Sequence, residues 1–256
     1  MKTKKEIVEN WLPRYTGMEL DGFGKYILLT NFSNYLNLFA EQAGVEVVGL
    51  DRSMPCATAN GITMINFGMG SPNTATICDL LSAIKPEAVL FLGKCGGLKK
   101  KNAVGDLILP IAAIRGEGTS NDYMPPEVPA LPAFELQKAI STTVRDHGFD
   151  YWTGTVYTTN RRVWEHQDRF KRYLKRTRAM AIDMETATLF SAAFKNKFSA
   201  GALLLVSDVP MTPDGVKTDA SDAVATVNHA QMHVDLGIAS LKQLINKSLT
   251  VKHLQF

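Results

Sequence analysis

Three features of the 256-residue sequence predict an α/β protein with a mostly parallel central sheet and helices on both faces. Apolar runs of strand length alternate with segments of helical period along the whole chain. Several of those runs end in glycine-containing turns, where open α/β sheets bind ligands. No repeat, low-complexity linker or composition shift interrupts the pattern, so residues 1–256 read as a single domain, an α/β/α sandwich.

In chain order, Ile7, Val8, Trp11 and Leu12 suggest an opening helix, followed by a loop from Thr16 to Gly24. Tyr26–Thr30 is the first expected strand, and Phe32–Gln42 a helix stopped by Gly44. Val45–Leu50 and Ile62–Phe67 are expected strands separated by a loop, Asp51–Asn60. The second runs into Gly68-Met69-Gly70-Ser71-Pro72-Asn73 and a helix through Ile84. Glu87–Leu92 is a strand expected to end in a turn, Gly93-Lys94-Cys95-Gly96-Gly97, and Val104–Pro110 begins another. A long loop with four prolines, Arg115–Pro132, is functional or an interface arm by its length. Then come a helix (Phe134–His147), a strand (Thr153–Tyr157) and an amphipathic helix (Val163–Arg176). A helix is expected to start within Ala181–Thr188, and Ala202–Leu205 is a strand running to Val206-Ser207-Asp208. A loop, Pro210–Asp219, precedes the final helix, Asp222–Ile245.

Twenty-eight basic against 25 acidic residues leave a net charge of +3, too balanced to point to a polyanion. No apolar stretch follows Met1–Glu6, and the longest apolar runs fall far short of the ~20 residues that span a bilayer. Cys56, Cys78 and Cys95 are odd in number and scattered, as in a reduced compartment. A cytoplasmic protein with neither a membrane nor a nucleic-acid partner is therefore expected.

Two carboxylates stand out. Glu185 follows Met184 near an expected helix start, and Asp208 lies just past a buried strand that would hold it rigidly. The glycines around Met69 and Lys94 would let backbone N–H groups approach a sugar or an anion. No Walker loop and no G-x-G-x-x-G is present, which argues against ATP or dinucleotide binding. Residues 161–178 carry eight Lys or Arg with interleaved aromatics, best read as a solvated helix face, with Arg161 or Arg162 available to a nucleotide. His229 and His233 are spaced i, i+4 but lack a third ligand, so no metal and no cofactor are expected.

Met184-Glu185-Thr186-Ala187, followed about twenty residues later by Val206-Ser207-Asp208, resembles the nucleoside phosphorylase and nucleosidase superfamily. The likeness extends from about Tyr26 to the final helix. It implies that Glu185 binds the ribose hydroxyls and Met184 and Met69 flank the sugar, beside the Gly70 turn. It also implies that Cys95, Gly96 and Ile182 lie by the base, and that Asp208 protonates a purine leaving group. Family phosphorylases hold orthophosphate with two arginines, whereas this chain has Asn31-Phe32 and Phe91 at those places and Lys94 where they have Ser or Thr. That departure favours water as nucleophile, because the bidentate clamp is what arginine supplies.

Arg115–Ser120, Pro125–Pro132 and Tyr157–Trp164 are similar to the AMP nucleosidase branch of the superfamily. The resemblance implies hydrolysis of AMP to adenine and ribose 5-phosphate, with a homo-oligomer, a hexamer, as the assembled form. Arg162 and Lys94, helped by Arg52 or Arg115, are the expected phosphate contacts. A phosphorylase with a rebuilt phosphate site and a non-catalytic nucleotide-binding protein are the alternatives.

Overall fold

The computed structural model describes residues 2–212 and 215–246. Its first element, α1 (Lys4–Thr16), starts in a capping box: the Thr3 side chain accepts from the Glu6 amide while Glu6 reaches back to Thr3. β1 (Tyr26–Thr30) and α2 (Ser33–Ala43, closed by a left-handed Gly44) fall where the sequence puts them.

The next segment differs. Val45–Leu50 contributes only an isolated bridge, Val48 to Cys56, because Gly49 at φ +74 breaks the extended run. The strand lies in the expected loop instead: β2 (Cys56–Ala59) pairs antiparallel with β3 (Ile62–Asn66) across Asn60-Gly61. Both turn residues have left-handed φ (51 and 77), which a two-residue hairpin turn requires and Asn-Gly supplies at least cost.

After α3 (Ser71–Leu81) comes β4 (Ala88–Gly97), buried along its whole length. The Gly93–Gly97 segment is thus strand, not turn. Its glycines serve proximity: a Cβ on Gly93 would sit 2.4 Å from the Phe91 ring, and one on Gly97 2.7 Å from Asn102. β5 (Leu107–Gly116), α4 (Phe134–Asp146), β6 (Trp152–Thr159) and α5 (Asp168–Thr177) follow. Ala181–Asp183 is a short strand, β7, not a helix start, since it pairs with β4 on one side and β6 on the other. α6 (Thr186–Lys195), β8 (Ala200–Asp208) and α7 (Asp219–Asn246) complete the chain.

The eight strands form one mixed sheet in the order β2-β3-β1-β4-β7-β6-β5-β8, with β8 also pairing β4. That last pairing closes β4, β7, β6, β5 and β8 into a ring, from which β1, β3 and β2 extend. The mostly parallel open sandwich is corrected here, because β2–β3, β4–β7 and β5–β8 are antiparallel. Alternation of apolar runs with helices points to parallel neighbours, as β1–β3, β1–β4, β4–β8, β5–β6 and β6–β7 are, but does not reveal where non-consecutive strands meet antiparallel.

Two apolar cores line the faces of the sheet, one under α3 and α6 and one under α2, α4 and α7. A third, smaller cluster includes Tyr157, Trp164, Leu174 and Ile182 beneath α5. Phe170 and Tyr173 of that helix turn inward onto Tyr157, so its basic side chains are left to the outer face, as the sequence suggested. Among the described residues no helix is long and apolar enough to cross a membrane.

Candidate active site

The ends of β1, β3, β6, β7 and β8 converge with Lys94, Cys95 and Gly96 of β4 on one open pocket. Met69, Lys94, Cys95, Gly96, Arg162, Ile182, Met184, Glu185 and Asp208 all line it. Gly70 stands behind that wall, its amide donating to Glu185 Oε1 at 2.7 Å. Asn31 and Phe32, noted from the sequence only as a departure at the family's phosphate turn, also line the pocket, as do Thr159, Trp164 and Lys217, which were not singled out as site residues. The last three lie in loops or at a strand end with no recognisable spacing, so only the fold brings them together.

Asp183 organises the floor. It is 5% exposed and accepts four hydrogen bonds: Thr158 Oγ1 at 2.7 Å, the Thr186 amide at 2.8 Å, the Glu185 amide at 3.3 Å and the Thr186 hydroxyl. Thr158 Oγ1 in turn accepts from the Ala187 amide at 2.9 Å. The start of α6 is therefore capped by a carboxylate from the preceding strand and a hydroxyl from β6, where anionic charge is favoured. Burial pushes the Asp183 carboxyl up and these donors pull it back.

Glu185, 2% exposed, is held by its own surroundings. Oε1 accepts from Gly70 N and from Asn31 Nδ2 (3.3 Å), and Oε2 from Met184 N (3.1 Å). Burial and the neighbouring Asp183 charge raise its carboxyl, against those three donors. A carboxylate fixed on both oxygens, with its charge near the threshold of protonation, is suited to hydroxyl groups of a sugar.

Asp208 ends β8, opposite Gly96. Its Oδ1 lies 2.8 Å from Ser207 Oγ, whose other acceptor, Cys95 O, is 3.5 Å away, so the serine proton goes to Asp208. Burial raises the Asp208 carboxyl; the Ser207 bond and the charges of Lys217 and Arg162 oppose the rise, and Glu165 adds to it. Arg162 is itself paired with Glu165 at 3.1 Å. The Cys95 thiol is pushed well up by burial, which makes it a shape element and not a nucleophile.

Lys94, 9% exposed, lies with its ammonium 4.5 Å from the Phe32 ring centroid, a cation–π contact that fixes the charge in place. The proposed helpers lie elsewhere. Arg115 is saturated within the proline-rich loop, donating to Ser120, Asn121 and the carbonyls of Met124, Pro125 and Val128. It staples that loop. Arg52 is beside Asp51 at 3.3 Å and does not line the pocket. His233 donates from Nε2 to Leu203 O (2.9 Å), which leaves Nδ1 to accept from the Tyr35 hydroxyl (3.0 Å). Both ring nitrogens are thereby committed, and no group of metal-ligating side chains occurs among the described residues.

Residues 25–238 match the phosphorylase superfamily. The chain belongs to that family. More narrowly, it is 59% identical to AMP nucleosidase from Bacteroides thetaiotaomicron VPI-5482, whose crystal structure superposes with a TM-score of 0.86, covering 96% of this chain and 100% of that one. It is 29% identical over 248 residues to AMP nucleosidase of Escherichia coli (strain K12), covering 78% of this chain and 51% of the relative. The chain thus spans about half the length of that curated relative. The fold alone is shared with uridine phosphorylase from Vibrio fischeri ES114, at 22% identity, a TM-score of 0.77 and coverage of 88% and 94%.

Asp183→Asn turns one acceptor oxygen into a donor facing donors, among buried groups that then lose their partner. A loss of about 1–3 kcal/mol in stability is expected, read as a lower urea midpoint at unchanged slope. An unchanged midpoint would mean that the four hydrogen bonds do not hold the turn.

Proposed function

We propose that the chain hydrolyses the N-glycosidic bond of AMP, giving adenine and ribose 5-phosphate. The observation that carries this reading is a pocket in which Asp208 and Glu185 meet four cationic side chains, Lys94, Arg161, Arg162 and Lys217. Likeness to AMP nucleosidases over nearly the full chain supports it.

Asp208 acts as general acid. Its raised carboxyl keeps a proton further into the neutral range than an ordinary aspartate, and Oδ2 delivers it to N7 of the purine as the C1′–N9 bond breaks. Adenine then leaves as a neutral base. Glu185 holds the ribose hydroxyls while the sugar gains oxocarbenium character, with Met184 and Met69 against the ring. Cys95, Gly96 and Ile182 shape the base pocket. Lys94, with Arg162, binds the 5′-phosphate by charge-assisted contacts, about twice as strong as neutral ones. The turn after β1 presents Asn31 and Phe32 in place of an arginine, so orthophosphate lacks its bidentate clamp there and water is the nucleophile.

The chain is further proposed to work as one catalytic domain in a cytoplasmic homo-oligomer, a hexamer. Met69, 54% exposed at the pocket edge, is the kind of apolar surface that a second copy would cover.

AMP should be cleaved without added orthophosphate or metal, and ribose 1,5-bisphosphate among the products would refute hydrolysis in favour of phosphorolysis. With Asp208 active in its protonated form, kcat should fall as pH rises through the raised Asp208 pKa. Asp208→Asn should lower kcat by roughly 10²–10⁴ and abolish that alkaline limb; a surviving limb would assign the proton elsewhere. Lys94→Ala should reduce kcat/KM for AMP by at least about tenfold while sparing adenosine. An unchanged ratio between the two substrates would remove Lys94 from the phosphate site.

A further inference from the structure

A third carboxylate lines the pocket near Asp208 and has no part in the chemistry described so far. Glu165 lies in the segment between β6 and α5, next to Trp164, and both residues line the cavity. Two donors hold it: Oε1 accepts from Arg162 Nη1 at 3.1 Å and Oε2 from the Trp164 amide at 2.9 Å. Arg162 lines the pocket too, and within that ion pair the guanidinium is the outer member, its side chain 50% exposed against 11% for Glu165. The carboxylate is thus the deeper of the two, yet it is not sealed off. It is also close enough to Asp208 for its negative charge to raise that carboxyl.

A carboxylate offers about four lone-pair sites. Arg162 and Trp164 take one on each oxygen, which leaves acceptor capacity on both. Beside a group assigned to protonate N7, an acceptor-only side chain is selective. The purine edge that carries N7 also carries the substituent at C6, which is an amino donor in adenine and an oxo acceptor in hypoxanthine and guanine. Asp208 as donor and Glu165 as acceptor together match the adenine edge. Against a 6-oxo purine the carboxylate would meet another acceptor, and both would stay unpaired.

We propose that Glu165 is the specificity-determining residue for the base: its carboxylate accepts a hydrogen bond from the 6-amino group of adenine while Asp208 serves N7 on the same edge. This deepens the AMP hydrolase reading above and rests on it. Arg162 and the Trp164 amide then act as positioning groups. A carboxylate anchored through both oxygens cannot swing aside to relieve a clash with a 6-oxo group, so the anchoring sharpens the choice.

The test is kcat/KM for AMP and for IMP, the same nucleotide with a 6-oxo purine, in wild type and in Glu165→Gln. Wild type should favour AMP by at least roughly 10²-fold, as a site built to hydrogen-bond a polar substrate group does. Glutamine is nearly isosteric and can turn its NH2 toward a 6-oxo group. The AMP-to-IMP ratio should therefore fall at least about tenfold, in part through a gain on IMP. If Glu165 serves only to hold Arg162, KM rises in step for both nucleotides, which carry the same 5′-phosphate. If it serves only to raise Asp208, kcat falls in step for both and the alkaline limb moves to lower pH. Either result leaves the ratio unmoved and overturns the proposal, as does a wild type that does not distinguish AMP from IMP. Should the glutamine variant fail to fold, Glu165→Ala removes the acceptor and its repulsion together, and the ratio should fall in the same way. Wild-type protein that leaves AMP uncleaved overturns the hydrolase reading and this proposal with it, whereas AMP hydrolysis with an unmoved ratio overturns this proposal alone.

Discussion

The buried carboxylate of Asp183 is the contact on which the site depends. A charge that deep is tolerable only with its lone pairs satisfied, and four donors from two segments do so. Those donors are not spread at random. They are the first polar groups of α6 and the hydroxyl that ends β6's contact with β7, so satisfying one carboxylate locks a strand, a helix start and a neighbouring strand in a single geometry. Glu185, two residues on, inherits its position from that lock. Its own three donors come from the turns after β1 and β3 and from its own turn, which ties the extended half of the sheet to the closed half.

Closure of the ring has a second consequence. Because β4 pairs with β8 along Val89–Gly96 and with β7 at Gly96 and Gly97, the two carboxylates assigned to sugar and base are delivered from either side of one strand. The register shift between Cys95 and Gly96 sets Asp208 opposite Gly96, where a Cβ would press on Ile182 and Pro210 at 3.2 Å. The glycines of β4 therefore let neighbouring side chains pack close against the strand, a different use from the turn-forming one that their number suggests.

Electrostatics follow from the same burial. Asp183 and Glu185 lie in one desolvated floor, where burial raises both carboxyls and the Asp183 charge raises Glu185 further, while Asp208 stands apart, between two cations and Glu165. The two environments differ as the roles proposed for the two carboxyls require, one donating a proton and the other holding hydroxyls. Lys94 over the Phe32 ring adds a fixed positive charge on a stem buried against the sheet.

Much was legible in the sequence because it is local. The β1 and α2 boundaries and the stop at Gly44 all rest on residues close together in the chain. What was misread is non-local. Gly93–Gly97 looks like a turn until β8 and β7 are seen on either side of it, and Ala181–Asp183 looks like a helix start until β4 and β6 claim its hydrogen bonds. Val45–Leu50 has strand composition, yet a left-handed Gly49 prevents it from pairing while an Asn-Gly turn recruits Cys56–Ala59. Arg115 carries a charge suited to phosphate, but five loop acceptors surround it, a fact no spacing could reveal. The residue types alone therefore supplied the carboxylates and cations on which the proposed chemistry draws. The tertiary structure decided which groups share a pocket, which act as donor or acceptor and which carboxyls are raised, because hydrogen-bond partners and desolvation are set by segments far apart in sequence.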